Sequence, residues 1–117
     1  MRIEERRVND VVLLDLRGKI AAGDGDVLIR DTIQRLAQRG HKKIVLNFAD
    51  VPYMDSVGLN ALVRAHLALT REGGALALAG VPKHLSHILS VTRLTEVFEL
   101  FETEETAIQS LDGRLAN

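Results

Sequence analysis

Lys43-Ile44-Val45-Leu46-Asn47-Phe48-Ala49-Asp50-Val51-Pro52-Tyr53-Met54-Asp55-Ser56-Val57-Gly58-Leu59 (residues 43–59) is the stretch that decides how this chain folds. Its first part, Lys43 to Phe48, is short, apolar and partly β-branched, which predicts a buried strand. Asp50 to Asp55 contains a proline and two aspartates and predicts a loop. Ser56 to Arg71 predicts a helix, with Leu59, Leu62, Val63, His66 and Thr70 on one face. Gly73-Gly74 stops it. A strand that enters a helix through a short loop is the repeating unit of an α/β fold, and such sheets place their sites outside the carboxyl ends of strands.

The same alternation extends in both directions. Upstream, Ile3 to Val8 reads as an edge strand and Val11 to Ile20 as a longer one. Asn9-Asp10 between them suits a two-residue hairpin turn, because both residue types tolerate the left-handed conformation. Gly23-Asp24-Gly25-Asp26 breaks the pattern, and an aspartate there is placed to cap the next helix. That helix is expected over Val27 to Arg39, with Val27, Ile29, Ile33, Leu36 and Ala37 near helical spacing and Gly40 at its end. Downstream come a strand over Ala75 to Ala79 and a helix opened by Pro82, with Leu85, Ile88 and Leu89 facing inward. Leu94 to Phe101 contains a last strand, and Thr103 to Leu111 forms a last helix. A hairpin followed by alternating strands and helices predicts a mostly parallel sheet with an antiparallel edge.

The chain has 117 residues, the usual size of one domain, and no linker or repeat divides it. Apolar residues make up 46% and aromatics only 3%, so Leu, Val, Ile and Ala must build the core. A net charge of -1 supplies no bulk field toward nucleic acid or anionic lipid, and scarce aromatics argue against base stacking. There is no cysteine, which removes disulfides and thiolate metal sites and suits a reducing cytoplasm. The N-terminus, Met1 to Arg7, is charged and lacks the apolar core of a signal peptide. No apolar run approaches the roughly 20 residues that span a bilayer.

Chemistry concentrates at Asp55-Ser56. Asp55 is placed to cap the helix, which puts Ser56 in the first turn. First-turn N–H groups lack intrahelical partners and the helix dipole favours negative charge there, so the fold tolerates a phosphate on Ser56. Gly58 lets another backbone approach closely. On these residues alone, a plain helix cap is the favoured reading of Asp55 and Ser56, since such caps are common.

Other signals are weaker. Gly23-Asp24-Gly25 follows a strand like a dinucleotide loop, but the third glycine is missing and Asp24 and Asp26 would repel a pyrophosphate. Asp24 and Asp26 also mimic the start of a calcium loop, yet Val27, Leu28 and Ile29 occupy ligand positions. His84 and His87 share a helical face without a third metal ligand and read as surface residues. His66 reads as a packed histidine. Ser56 lacks the Gly-x-Ser-x-Gly elbow of a hydrolase, since Met54 stands two residues before it, so an enzyme is not expected. Glu96, Glu99, Glu102, Glu104 and Glu105 form an acidic stretch, read as a solvated face or as a docking surface for a basic partner.

Asp55-Ser56-Val57-Gly58-Leu59, preceded by Val51-Pro52-Tyr53-Met54, resembles the signature of the STAS domain of anti-sigma factor antagonists. Gly18, Gly73-Gly74 and Leu94 to Phe101 extend the resemblance over nearly the whole chain. It implies one STAS-like domain over residues 1–117, with a mixed sheet of four or five strands, an N-terminal hairpin and helices mainly on one side. It implies that Ser56 is phosphorylated by a partner kinase that is also an anti-sigma factor. Asp55, Ser56, Val57 and Gly58 would then meet that partner. The kinase would use ATP; this chain would need no cofactor or metal. The implied protein is cytoplasmic, a monomer or weak homodimer, without direct nucleic-acid contact or membrane insertion. STAS-like domains also serve as permanent subunits of lipid transport complexes and signalling scaffolds, which is the alternative function. Two positions depart from the family pattern. Val57 stands where many relatives have a second small polar residue, and Lys19 to Asp26 lacks the acidic residue that often follows the glycine.

Overall fold

Val8 and Val11 face each other across the turn Asn9-Asp10, where Asn9 takes the left-handed conformation at φ 57°. The turn closes a hairpin of β1 (Arg2–Val8) and β2 (Val11–Arg17). The computed structural model describes residues 1–114. After the hairpin come α1 (Gly25–Gln38), β3 (Lys43–Asp50), α2 (Ser56–Arg71), β4 (Ala75–Ala79), α3 (Lys83–Val91), a 3-10 turn (Leu94–Glu96), β5 (Glu99–Phe101) and α4 (Glu104–Asp112). The five strands lie in chain order, β1-β2-β3-β4-β5. Only the β1–β2 pair is antiparallel; β2, β3, β4 and β5 pair in parallel.

Strand alternation assigns the two faces. Val12, Leu14, Leu16, Ile44, Leu46, Phe48, Leu76 and Leu78 pack with Ile29, Ile33 and Leu36 of α1, Leu62 and Leu69 of α2, and Leu85 and Leu89 of α3. Val11, Leu13, Val45, Ala77 and Ala79 face the other way, against Ala107 and Leu111 of α4. Three helices therefore cover one face and one short helix part of the other, which is the mixed α/β architecture expected.

The structure corrects several boundaries. β2 ends at Arg17, not Ile20. Gly18 turns the chain at φ 114°, and Ile20 forms a lone bridge to Met54. β3 runs two residues further than expected, to Asp50. α1 starts at Gly25 rather than Val27, and Val27 is exposed. Asp24 occupies the α1 cap position but its side chain makes no capping bond; it pairs with the Met1 ammonium at 3.1 Å. Leu94 to Phe101 is mostly turn, with a strand of three residues at its end.

In α2 the buried stripe is Gly58, Leu62, Ala65 and Leu69. Leu59 and Val63 are half-buried at its border. Thr70 is exposed, its hydroxyl donating back to the His66 carbonyl at 2.7 Å. His66 packs edge-on against Phe98, with ring centres 5.1 Å apart. Among the described residues its Nδ1 has no partner, and burial holds its pKa below the usual histidine value, which favours the neutral ring. Among the described residues no helix is long and apolar enough to cross a membrane.

These faces set a stability test. Leu62 is fully buried, so Leu62→Ala should cost about 2–5 kcal/mol. Arg64 is exposed on the opposite side of α2, and Arg64→Ala should cost under about 0.5 kcal/mol. Urea titration separates the two; equal costs would mean that α2 is rotated about its axis.

Candidate functional site

The segment Lys19-Ile20 is wedged between the first turns of α1 and α2. A Cβ at Gly25 would overlap the Lys19 carbonyl oxygen, and a Cβ at Gly58 would overlap the Ile20 carbonyl oxygen. Only glycine fits at either place. The backbone expected to approach Gly58 is therefore the chain's own. In the Gly23-Asp24-Gly25 loop the space beside Gly25 is taken by the Lys19 backbone, while Gly23 has open space beside it.

Hydrogen bonds then stitch this segment to the loop before α2. Ile20 N–H donates to the Tyr53 carbonyl at 3.0 Å, and Asp55 N–H donates to the Ile20 carbonyl at 3.2 Å. Asp55 is extended, with φ −97° and ψ 179°, as a helix cap should be. Its Oδ1 accepts from Gly58 N–H at 2.8 Å and its Oδ2 from Ala22 N–H at 3.0 Å. The Ala22 and Gly58 amides hold the Asp55 carboxyl below the usual carboxylate range. Val51 and Met54 anchor the loop by burial. His84, at the start of α3, reaches across to the Pro52 carbonyl through Nε2 at 2.8 Å. A carbonyl only accepts, so this nitrogen carries the proton and is not free to serve as a base.

The four residues expected at the site form one short arc with different roles. Ser56 is the first residue of α2 and is exposed. Val57 is 46% exposed, and nearby Tyr53 is 49% exposed. Asp55 is half-buried, with both carboxylate oxygens engaged, and Gly58 is buried. The presented surface is thus Tyr53, Ser56 and Val57; Asp55 and Gly58 build the platform behind it. Sequence reasoning did not find the His84 contact, because no local pattern ties the start of α3 to a loop 32 residues earlier. Among the described residues no group of three or more His, Cys, Asp or Glu is placed to hold a metal ion.

The STAS domain family model matches residues 2–107. The chain belongs to the STAS domain family. Among its STAS relatives, the anti-sigma-B factor antagonist of Bacillus subtilis (strain 168) is 24% identical over 109 residues, covering 93% of this chain and 98% of that protein. The crystal structure of an anti-sigma factor antagonist from Mycobacterium paratuberculosis superposes with a TM-score of 0.83 at 19% identity, covering 95% of this chain and 93% of that one. The anti-sigma factor antagonist SpoIIAA in its unphosphorylated form gives a TM-score of 0.73 at 20% identity, over 97% of this chain and 100% of that one. Its phosphorylated form gives 0.73 at 22% identity, over 93% and 98%. The family model establishes the STAS domain, the solved structures share its fold, and the relatives named here are anti-sigma factor antagonists.

The Asp55 clamp makes a pH prediction. A carboxylate held low in the fold contributes stability above the unfolded aspartate value of about 3.9 and loses it as pH falls through the lower folded value. Asp55→Ala should therefore melt below the parent at pH 7, and the gap should close as pH drops toward 2. Melting curves across this range check it; a gap independent of pH would show that the carboxylate is not what holds the loops.

Proposed function

We propose that this STAS protein is a phosphorylation-controlled switch. It binds an anti-sigma factor that is also a serine kinase while Ser56 is free, and releases it once Ser56 is phosphorylated. The observation that carries this reading is Ser56 itself, exposed as the first residue of α2 on a loop fixed at both ends. Tyr53 and Val57 add apolar contact area beside it. The kinase would bring the ATP, and this chain would act in the cytoplasm as a single domain without a cofactor.

The physics favours a change in binding over a change in fold. A phosphate adds about -1.5 to -2 charges. Asp55 already occupies the Gly58 N–H, so a phosphate on Ser56 would stay outside the cap and point at whatever lies against it. The neighbouring Asp55, held ionised by its amide partners, repels it, and the helix dipole returns about 0.3–1 kcal/mol. A partner surface fitted to a neutral hydroxyl has no such offset. Each ~1.4 kcal/mol lost there weakens binding tenfold. This chain shares the fold both of SpoIIAA in its unphosphorylated form and of SpoIIAA in its phosphorylated form.

Ser56→Ala should fold and keep the partner bound. Ser56→Asp should also fold, because an acidic residue suits the first turn, but should bind at least tenfold more weakly. One charge is less than a phosphate carries, so true phosphorylation should weaken binding further. Melting and partner affinity for the three forms, with mass spectrometry after incubation with the kinase and ATP, check this. A phosphate on another residue, or full affinity for Ser56→Asp, would contradict the switch and favour a permanently assembled subunit.

A further inference from the structure

The sheet face that carries α4 is only partly covered. Ala107 and Leu111 of α4 sit on Val11, Leu13, Val45, Ala77 and Ala79, while the floor toward the carboxyl ends of the strands is open. There Asp15, Asn47 and Gly80 help to form a basin of about 540 Å³, and the turn between β5 and α4 supplies its rim with Glu102, Glu104 and Glu105. Three of the five glutamates in the acidic stretch thus face one hollow. Glu99 instead pairs with Arg114 at 2.6 Å, and Glu96 lies outside the basin.

The charges in the basin are not balanced. Six carboxylates and two guanidinium groups line it. Both arginines are already committed. Arg6 donates to Asp15 at 2.7 and 2.9 Å and to Glu104 at 2.7 Å. Arg17 donates to Glu4 at 3.1 Å. Arg6 and Asn47 hold the Asp15 carboxyl below its usual range, so it stays ionised. Glu102 and Glu105 are exposed and make no ion pair among the described residues. An anion is therefore repelled and a cation attracted.

A second hollow, about 270 Å³, adjoins the basin and shares Gly80 and Glu102 with it. Its walls include Val81, Leu100 and Phe101. An acidic basin that continues into an apolar notch fits neither a small cation nor a metal ion, which would leave the notch empty. It fits an extended peptide with a basic side chain next to an apolar one. Asp50 lies on the basin wall and ends β3, the strand from which the loop to Ser56 departs. The basin therefore opens at the same end of the sheet as Ser56, on the face away from α2.

We propose that this basin docks a segment of a protein partner that carries Arg or Lys beside a Leu, Ile or Phe. The contact is separate from Ser56 and does not depend on the phosphorylation switch. The test is a random 12-residue peptide library displayed on phage, selected on the full chain and counter-selected on the double variant Glu102→Lys/Glu105→Lys. Enriched peptides should carry adjacent basic and apolar residues. Labelled with fluorescein, they should bind the parent at least tenfold more tightly than the double variant, lose affinity with salt, and shift the amide resonances of Gly80 and Glu102. Glu96→Lys and Ser56→Asp should bind them like the parent, which separates this contact from the switch. A lysine in the first turn of α4 opposes the helix dipole, so Glu102→Gln/Glu105→Gln serves if the reversed variant melts early. Enriched peptides without basic residues, equal binding to the charge variants, equal competition by spermine, or peptides that only block self-association of the chain would each overturn the proposal.

Discussion

The Lys19-Ile20 backbone pressed into the first turns of α1 and α2 is the constraint from which the site follows. Two carbonyl groups enter spaces that only a glycine leaves open, one at Gly25 and one at Gly58. That contact fixes where α2 starts relative to the end of β2. It also brings Ala22 N–H close enough for the Asp55 carboxylate to bridge it and Gly58 N–H. Without the close approach, Asp55 would cap α2 locally, but the two loops would not share one rigid edge. Ser56 is exposed, yet it stands on this edge and not on a free loop. Adding His84 to the Pro52 carbonyl ties α3 to the same edge, so loops that follow three successive strands meet at one surface.

Such an edge separates recognition from stability. The core lies beneath the loops, in Ile20, Val51 and Met54 and in the strands behind them. Ser56, Val57 and Tyr53 face outward and contribute little to it. A charge added at Ser56 acts on the outer surface, where the fold offers a helix start, and the proposed partner would meet it there. The opposite face of the sheet is organised differently. There the apolar floor beneath α4 gives way, toward the carboxyl ends of the strands, to the polar network of Arg6, Asp15, Asn47 and Glu104. One sheet thus carries an apolar-fringed serine on one side and an acidic basin on the other.

Much of this was legible in the sequence, and the main misses are contacts between distant residues. Asp55 and Gly73 bracket α2, so its bounds, Ser56–Arg71, could be read from local signals. The hairpin turn at Asn9-Asp10 was equally local. Ile20 looked like the end of a strand because it is apolar, whereas it is buried by a bridge to Met54, 34 residues on in the chain. Val27 was grouped with the inward residues of α1, but at about 100° per residue it lies on the far side of the helix from Ile29, and it is exposed. Gly58 announced a close approach without saying of what. The glutamates of the last segment read as one acidic run, and only the turn from β5 into α4 shows which of them face the basin. The Ile20–Met54 and Gly58–Ile20 contacts join residues far apart in sequence, which no window of local pattern contains.

Phosphate on Ser56, under the proposed switch, changes what the surface binds while the edge beneath it stays intact. Amide hydrogen exchange, followed residue by residue on the free and the Ser56-phosphorylated protein, tests this most directly. Ala22, Asp55 and Gly58 N–H groups bond to Asp55 Oδ2, the Ile20 carbonyl and Asp55 Oδ1 in turn. Their protection should be the same in both forms, while affinity for the anti-sigma factor falls by tenfold or more. Loss of protection at Ala22 and Gly58 on phosphorylation would contradict the account, because the phosphate would then act by releasing the loops and not by altering the surface they hold.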